Sequence, residues 1–168
     1  MRKVHLPLAA LMLPLALSAA TPGASAIVGA DAAACAANKS ALLVRVVGLK
    51  QSTGTLKLAL YGANQAMYLK KQGRLQRLKV AVPSAGPVDV CIAVPGPGRY
   101  AVAIHHDLNG NGDKDRHDGG GYSNNPRLSI TNMRPAFART AVVVGAQPTR
   151  ITVIMLYVKG LSVGPAAS

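Results

Sequence analysis

Apolar and polar residues alternate with a period of two over most of this chain, the pattern of strands that bury one face. From Ala41 to Leu49, Leu42, Val44 and Val46 face one way while Leu43, Arg45 and Val47 face the other. A turn over residues 51–54 leads into Thr55 to Tyr61, where Leu56, Leu58 and Leu60 form the inward face. The same alternation recurs in Leu78, Val80 and Val82, in Val88, Val90, Ile92 and Val94, and in Tyr100, Val102 and Ile104. Two late strands are predicted over residues 140–145 and 150–158, with Pro148 between them. About seven short strands at this spacing predict an all-β fold, an antiparallel β-sandwich of immunoglobulin-like or transthyretin-like strand order. Residues 64–72 alone change character: Asn64 can cap a short helix carrying Ala66, Met67 and Leu69, or the stretch is an irregular crossover.

The first 26 residues have the pattern of a targeting segment. Arg2 and Lys3 form a basic start, Leu6 to Ala20 an apolar stretch, and Ala24-Ser25-Ala26 a small-residue cleavage motif. Pro7 and Pro14 argue against a membrane anchor, which needs about 20 uninterrupted apolar residues. The expected layout is a signal peptide over 1–26, a flexible leader over 27–39 and one sandwich domain over 40–160, with a periplasmic or secreted location. No transmembrane segment is then expected after cleavage. Cleavage after Ala26 would leave 142 of the 168 residues, enough for one domain with a core.

Two cysteines, Cys35 and Cys91, survive that cleavage. In an oxidising compartment a pair without CxxC spacing points to a structural disulfide; free buried thiols or an intermolecular bridge are the alternatives. Alternation turns Cys91 away from the main core, so the bond would pin the leader across an outer face. Removing Arg2 and Lys3 takes the formal charge from +13 to +11, which favours polyanionic partners. With five Tyr, one Phe and no Trp there is little to stack on bases. The expected partners are therefore anionic envelope components or polysaccharide rather than nucleic acid. Lys70, Lys71, Arg74, Arg77 and Lys79 make the dense basic run.

Against this charge, the acids are concentrated in one place. The chain has six Asp and no Glu, and four of the six fall between Asp107 and Asp118. Counting from Asp107, oxygen side chains stand at positions 1, 3, 5, 9 and 12 (Asp107, Asn109, Asn111, Asp115, Asp118), with Gly112 at position 6. Asp113 supplies a carbonyl at position 7. This is calcium-loop spacing with Asp in place of the usual Glu at its end, and Arg99 to His106 reads as a strand rather than a framing helix. Clustered carboxylates repel one another unless a cation, or Lys114 and Arg116, neutralises them. A calcium site at Asp107, Asn109, Asn111, Asp113, Asp115 and Asp118 is the expectation; a plain turn-rich connection is the alternative.

Three stretches in order, LALYG (Leu58 to Gly62), GRYAVAIHHDLNGNGDKD (Gly98 to Asp115) and GYSNNPR (Gly121 to Arg127), resemble the exported bacterial family called domain of unknown function 2141. The resemblance spans about Ala41 to Tyr157. It implies export, a small sandwich, and a polar end built from His106, Asp107, Asn109, Asn111, Asp113 and Asp115 with Tyr122, Ser123, Asn124 and Asn125. It supplies no reaction. The chain departs from the family by a shorter segment between Asp115 and Gly121, and by Leu128-Ser-Ile-Thr131 where relatives tend to have a Gly-Pro-Pro run.

A metal-dependent enzyme would have to use the same loop, with His106, Asp107 and His117 as zinc ligands. Alternation sets His105 and His106 on opposite faces, and no Gly-x-Ser-x-Gly elbow is present. The expectation is an exported, non-catalytic module with a calcium-stabilised loop and an accessory or surface-binding role. A purely structural envelope protein without metal is the first alternative, the enzyme the second.

Overall fold

The computed structural model describes residues 26–166, so the signal segment expected over 1–26 lies outside the described residues apart from Ala26. In chain order the elements are β1 (Ile27–Val28), α1 (Ala32–Ala36), β2 (Ala41–Val47), β3 (Thr55–Tyr61), β4 (Arg74–Ala81), β5 (Val88–Ala93), β6 (Gly98–Asp107), β7 (Gly119–Tyr122), α2 (Phe137–Thr140), β8 (Val142–Val144), β9 (Thr149–Ile154), β10 (Leu156–Lys159) and β11 (Ser162–Pro165). They form an all-β sandwich. One sheet has the order β1-β5-β2-β9; the other runs β11-β10-β7-β6-β3-β4, with β8 beside the start of β6.

The inward faces are those the alternation predicts. Leu42, Val44 and Val46 from β2, Leu56, Leu58 and Leu60 from β3, Val88, Val90 and Ile92 from β5, and Val102 and Ile104 from β6 are buried in one cluster between the sheets. Strand direction departs from the expectation at two edges: β1 runs parallel to β5, and β9 parallel to β2. Alternation reports which face a residue takes and carries nothing about a neighbour's direction.

The strand expected over 150–158 is two strands in different sheets. Met155 is fully buried at the crossing, and its N–H donates to the Val47 carbonyl at 2.9 Å. Burial keeps its period of two through Val153, Met155 and Tyr157, so the change of sheet leaves no mark on the pattern. A strand also stands at β7, where the sequence reads as turns. Two of its three glycines are there for packing: a Cβ at Gly119 would lie 2.5 Å from the Tyr157 ring, and one at Gly121 2.7 Å from Val153.

Residues 64–72 form no α-helix. Two 3-10 turns, Gln65–Met67 and Lys71–Gly73, carry the chain to β4, and Asn64 makes no side-chain cap. The leader over 27–39, expected to be flexible short of its tether, is built onto the first sheet by β1 and α1. One Asp31 carboxylate oxygen accepts from Ala93 N–H at 3.0 Å and from Gln76 Nε2 at 2.5 Å. Cys35 and Cys91 are bonded and buried with Ala41 and Leu43 on the outer face of that sheet. On the outer face of the other sheet Tyr61, Tyr68, Ala101 and Phe137 form a second small cluster. Among the described residues no helix is long and apolar enough to cross a membrane.

Candidate functional site

β6 delivers three polar residues in succession to one end of the sandwich, and its alternation splits them. His106 points inward and is fully buried. Its Nε2 lies 2.8 Å from the Thr53 carbonyl and its Nδ1 2.7 Å from the Tyr157 hydroxyl, which also accepts from Lys50 N–H at 3.0 Å. The carbonyl can only accept, so the ring proton is on Nε2 and Tyr157 donates to Nδ1. Both ring nitrogens are therefore engaged within the core. The zinc trio of His106, Asp107 and His117 does not assemble: His106 faces the core, and the His117 side chain is 83% exposed beside Asp115. Replacing Tyr157 with Phe leaves Lys50 N–H and His106 Nδ1 without their partner, and is expected to lower stability by about 1–3 kcal/mol in chemical denaturation.

His105 faces outward, where its Nε2 meets the Asp118 carboxylate at 2.7 Å. The Asp118 oxygens also accept from Leu108 N–H at 3.1 Å and Asp115 N–H at 3.3 Å, tying the end of the loop to its beginning. Between these points the chain curls through successive side-chain-to-backbone turns. Asn109 Oδ1 accepts from Asn111 N–H, Asn111 Oδ1 from Asp113 N–H, and Asp115 Oδ1 from His117 N–H, at 2.8–3.1 Å. Asn109 Nδ2 donates to the other Asp115 oxygen at 2.9 Å. These bonds hold the Asp115 carboxyl below the usual carboxylate range, the His117 N–H first among them. Asp113 is exposed.

Asp107 is buried more deeply than Asp118, at 1% against 9% exposed. One carboxylate oxygen, Oδ2, takes the Lys57 ammonium at 2.6 Å and Gly112 N–H at 3.1 Å. The Lys57 bond is the main reason that its carboxyl titrates below the ordinary aspartate value; burial opposes it and the Gly112 bond adds to it. The same ammonium donates to the Gly112 carbonyl at 3.0 Å. Gly110 N–H lies close enough to add a smaller lowering effect on the Asp107 carboxyl, but the other oxygen, Oδ1, is buried and has no hydrogen-bond partner of ordinary geometry among the described residues. Six residues that sequence spacing groups as one site thus fall into three sets: Asp107 with Lys57, Asp115 with Asn109, Asn111 and Asp113 in the curl, and Asp118 with His105. Among the described residues, no group of three or more His, Cys, Asp or Glu is placed to hold a metal ion.

Lys57 is the site residue that sequence reasoning misses. It lies on the outward face of β3, and only the β3–β6 register, which sets Thr55 opposite Asp107 and Lys57 opposite His105, brings it to the loop. Tyr122 to Asn125, which the family resemblance assigns to the same polar end, lie elsewhere. β7 runs antiparallel to β6, so Ser123 meets Val102, whose N–H donates to Ser123 Oγ at 2.9 Å. Asn125 is a staple to the strand that crosses sheets: its Nδ2 donates to the Thr152 carbonyl at 2.9 Å and its Oδ1 accepts from Ile154 N–H at 2.8 Å.

A two-sheet sandwich with a curled acidic loop between its sixth and seventh strands defines the class. Residues 44–152 match the family model described as "Uncharacterized protein conserved in bacteria (DUF2141)", and the chain belongs to that family. No curated protein and no solved structure matches it.

Proposed function

We propose that the chain is an exported, non-catalytic sandwich module with an accessory or surface-binding role, and that its acidic loop takes up a calcium ion beside Asp107. Asp107 Oδ1 carries this reading: a buried carboxylate oxygen without a partner is an unfavourable arrangement, and it stands at position 1 of the loop. The donor set is all oxygen, as a hard cation requires. Asn109 Oδ1 and Asn111 Oδ1 now accept backbone N–H groups, as Asp115 and Asp118 do, so each of these four joins such an ion only by sharing or exchanging its present partner. The export half of the reading rests on the basic and apolar start of the chain, and N-terminal sequencing of the exported protein should find Ile27 first.

A second reading is favoured by Lys57. Its ammonium bridges the Asp107 carboxylate and the Gly112 carbonyl, so a tethered cation closes the loop and the protein is a structural envelope component without metal. Thermal melts separate the two. If calcium binds the folded loop, a hundredfold excess over its dissociation constant adds about 2.7 kcal/mol and raises the melting temperature over that in EDTA by roughly 5–10 °C. That difference should vanish in the Asp107→Ala/Asp115→Ala double variant. Identical melts of the unaltered protein overturn the calcium reading and leave Lys57 as the closure. Lys57→Met then destabilises the protein with or without calcium, whereas under the calcium reading it leaves the response to the ion intact.

A further inference from the structure

We infer that the hairpin at the edge of the larger sheet is a contact with an anionic lipid surface, entered by Leu161. β10 and β11 pair from Leu156 opposite Pro165 to Lys159 opposite Ser162, and only Leu156 and Tyr157, at the base, also pair with β7. The distal half therefore extends past the last neighbouring strand. Gly160, at φ +59°, takes the first position of the two-residue turn, which leaves Leu161 at the apex. Leu161 is 96% exposed, more than any other large apolar side chain among the described residues.

A lone exposed leucine is ordinary on a protein surface, and two neighbouring features set this one apart. The first is the face behind it. Tyr157 turns into the core, so strand parity puts Leu156 and Val158 on the opposite face with their partners Pro165 and Val163. All four are apolar, and Val158 is 39% exposed. The second is charge. Lys159 is exposed beside the turn. Lys50, also exposed, is held at the base of the hairpin: its N–H donates to the Tyr157 hydroxyl at 3.0 Å, and its ammonium stands 6.0 Å from the centre of that ring. Val158 and Gly160 line one open cleft with Lys50, Arg116 and His117. Neither Lys50 nor Lys159 has a carboxylate at salt-bridge distance among the described residues.

An apolar apex flanked by unpaired cations selects its partner. A dissolved polyanion neutralises the lysines but leaves Leu161 in water. A second copy of the chain, pairing along the sheet edge, meets only the four residues of β11, where Gly164 weakens a strand and Pro165 has no N–H to give. A bilayer with anionic head groups satisfies both features: the leucine passes below the phosphates to the acyl boundary while the ammonium groups stay level with them. Each signal is weak alone, so the contact is reversible and weakened by salt.

The inference rests on the surface-binding role proposed above and on nothing in the calcium loop; its test is run in EDTA and alters no residue of that loop, so that its failure and that of the calcium reading are told apart. The chain has no Trp, and Leu161→Trp supplies a single reporter that keeps the apex apolar. With phosphatidylglycerol vesicles its emission should shift to the blue and be quenched by lipids brominated on their acyl chains. Val143→Trp should do neither, since Val143, 71% exposed, lies on β8 beside the opposite end of β6. In vesicle sedimentation Leu161→Ser should weaken binding about tenfold or more, and Lys50→Gln/Lys159→Gln about as much at moderate salt, both with melting temperatures within about 3 °C of the unaltered protein. Lys39→Gln/Arg150→Gln, equal in charge but away from the hairpin, should change binding less than about threefold. Undiminished binding by Leu161→Ser, equal binding to phosphatidylcholine vesicles, or a blue shift produced by polygalacturonate or by protein concentration without lipid each overturn the proposal.

Discussion

Replacing Cys35 and Cys91 together with serine is expected to lower stability by about 4 kcal/mol, the chain-entropy value of a cross-link over this separation, and the melting temperature by on the order of 10–20 °C. The separation is 56 residues, so the bond removes much freedom from the unfolded chain. It also has few substitutes in the folded one. β1 has two residues and α1 five, and the apolar cluster beneath them consists of Cys35, Ala41, Leu43 and Cys91 with Ala34 packed against it. Asp31 adds one bond to Gln76 and one to Ala93. Without the cross-link, residues 27–39 should detach before the sandwich melts, and limited proteolysis should cut there in the serine variant and spare the native protein. A melt with and without reductant checks the first expectation. Loss of less than about 1 kcal/mol would show that the leader holds by packing alone.

The parts of the fold legible in the sequence are those that burial alone dictates. Leu42 to Val46, Leu56 to Leu60, Val88 to Ile92 and Tyr100 to Ile104 have their inward faces where a period of two puts them, and the same parity turns Cys91 outward to Cys35. What alternation cannot encode is the partner of each strand and the sheet to which it belongs. Hence the parallel edges at β1 and β9 and the crossing at Met155 appear only in three dimensions. β7 was hidden for a different reason. Glycine has low strand propensity, yet Gly119 and Gly121 are required by the close approach of Tyr157, Val153 and Met155. In the candidate site, spacing identifies the loop and its curl but not the distribution of its charges. Lys57, which takes Asp107, comes from β3, whose register with β6 no local pattern reveals, and alternation places His105 on the outward face of β6 without naming Asp118, thirteen residues on, as its partner.

Gly54 shows how much of the site depends on that register, and Gly54→Ala should have the largest effect of any single methyl group added near it. Gly54 has φ +83°, in the left-handed region where a side chain is strained, and its Cβ would run into the Asp107 carbonyl oxygen and lie 2.9 Å from Leu108 Cα. The backbone strain and the overpacking are each worth about 1–3 kcal/mol, so a loss of roughly 3 kcal/mol in denaturant unfolding is expected. Both clashing groups are backbone, which cannot rotate aside as a side chain would. The start of the acidic loop must therefore move away from the turn after β2, and the bond between His106 Nε2 and the Thr53 carbonyl, at 2.8 Å in the native chain, must lengthen with it. Displacing Asp107 also draws it from Lys57 and Gly112, so Gly54→Ala should blunt any calcium-dependent rise in melting temperature as well as lowering the baseline in EDTA. Gly86, on the β4–β5 connection, supplies the control, because it too has positive φ, +79°, but a Cβ there meets nothing within 4 Å. Gly86→Ala should lower stability by only about 1 kcal/mol and leave the loop as it is; equal effects at the two positions would mean that backbone conformation, and not contact with Asp107, sets the loss at Gly54.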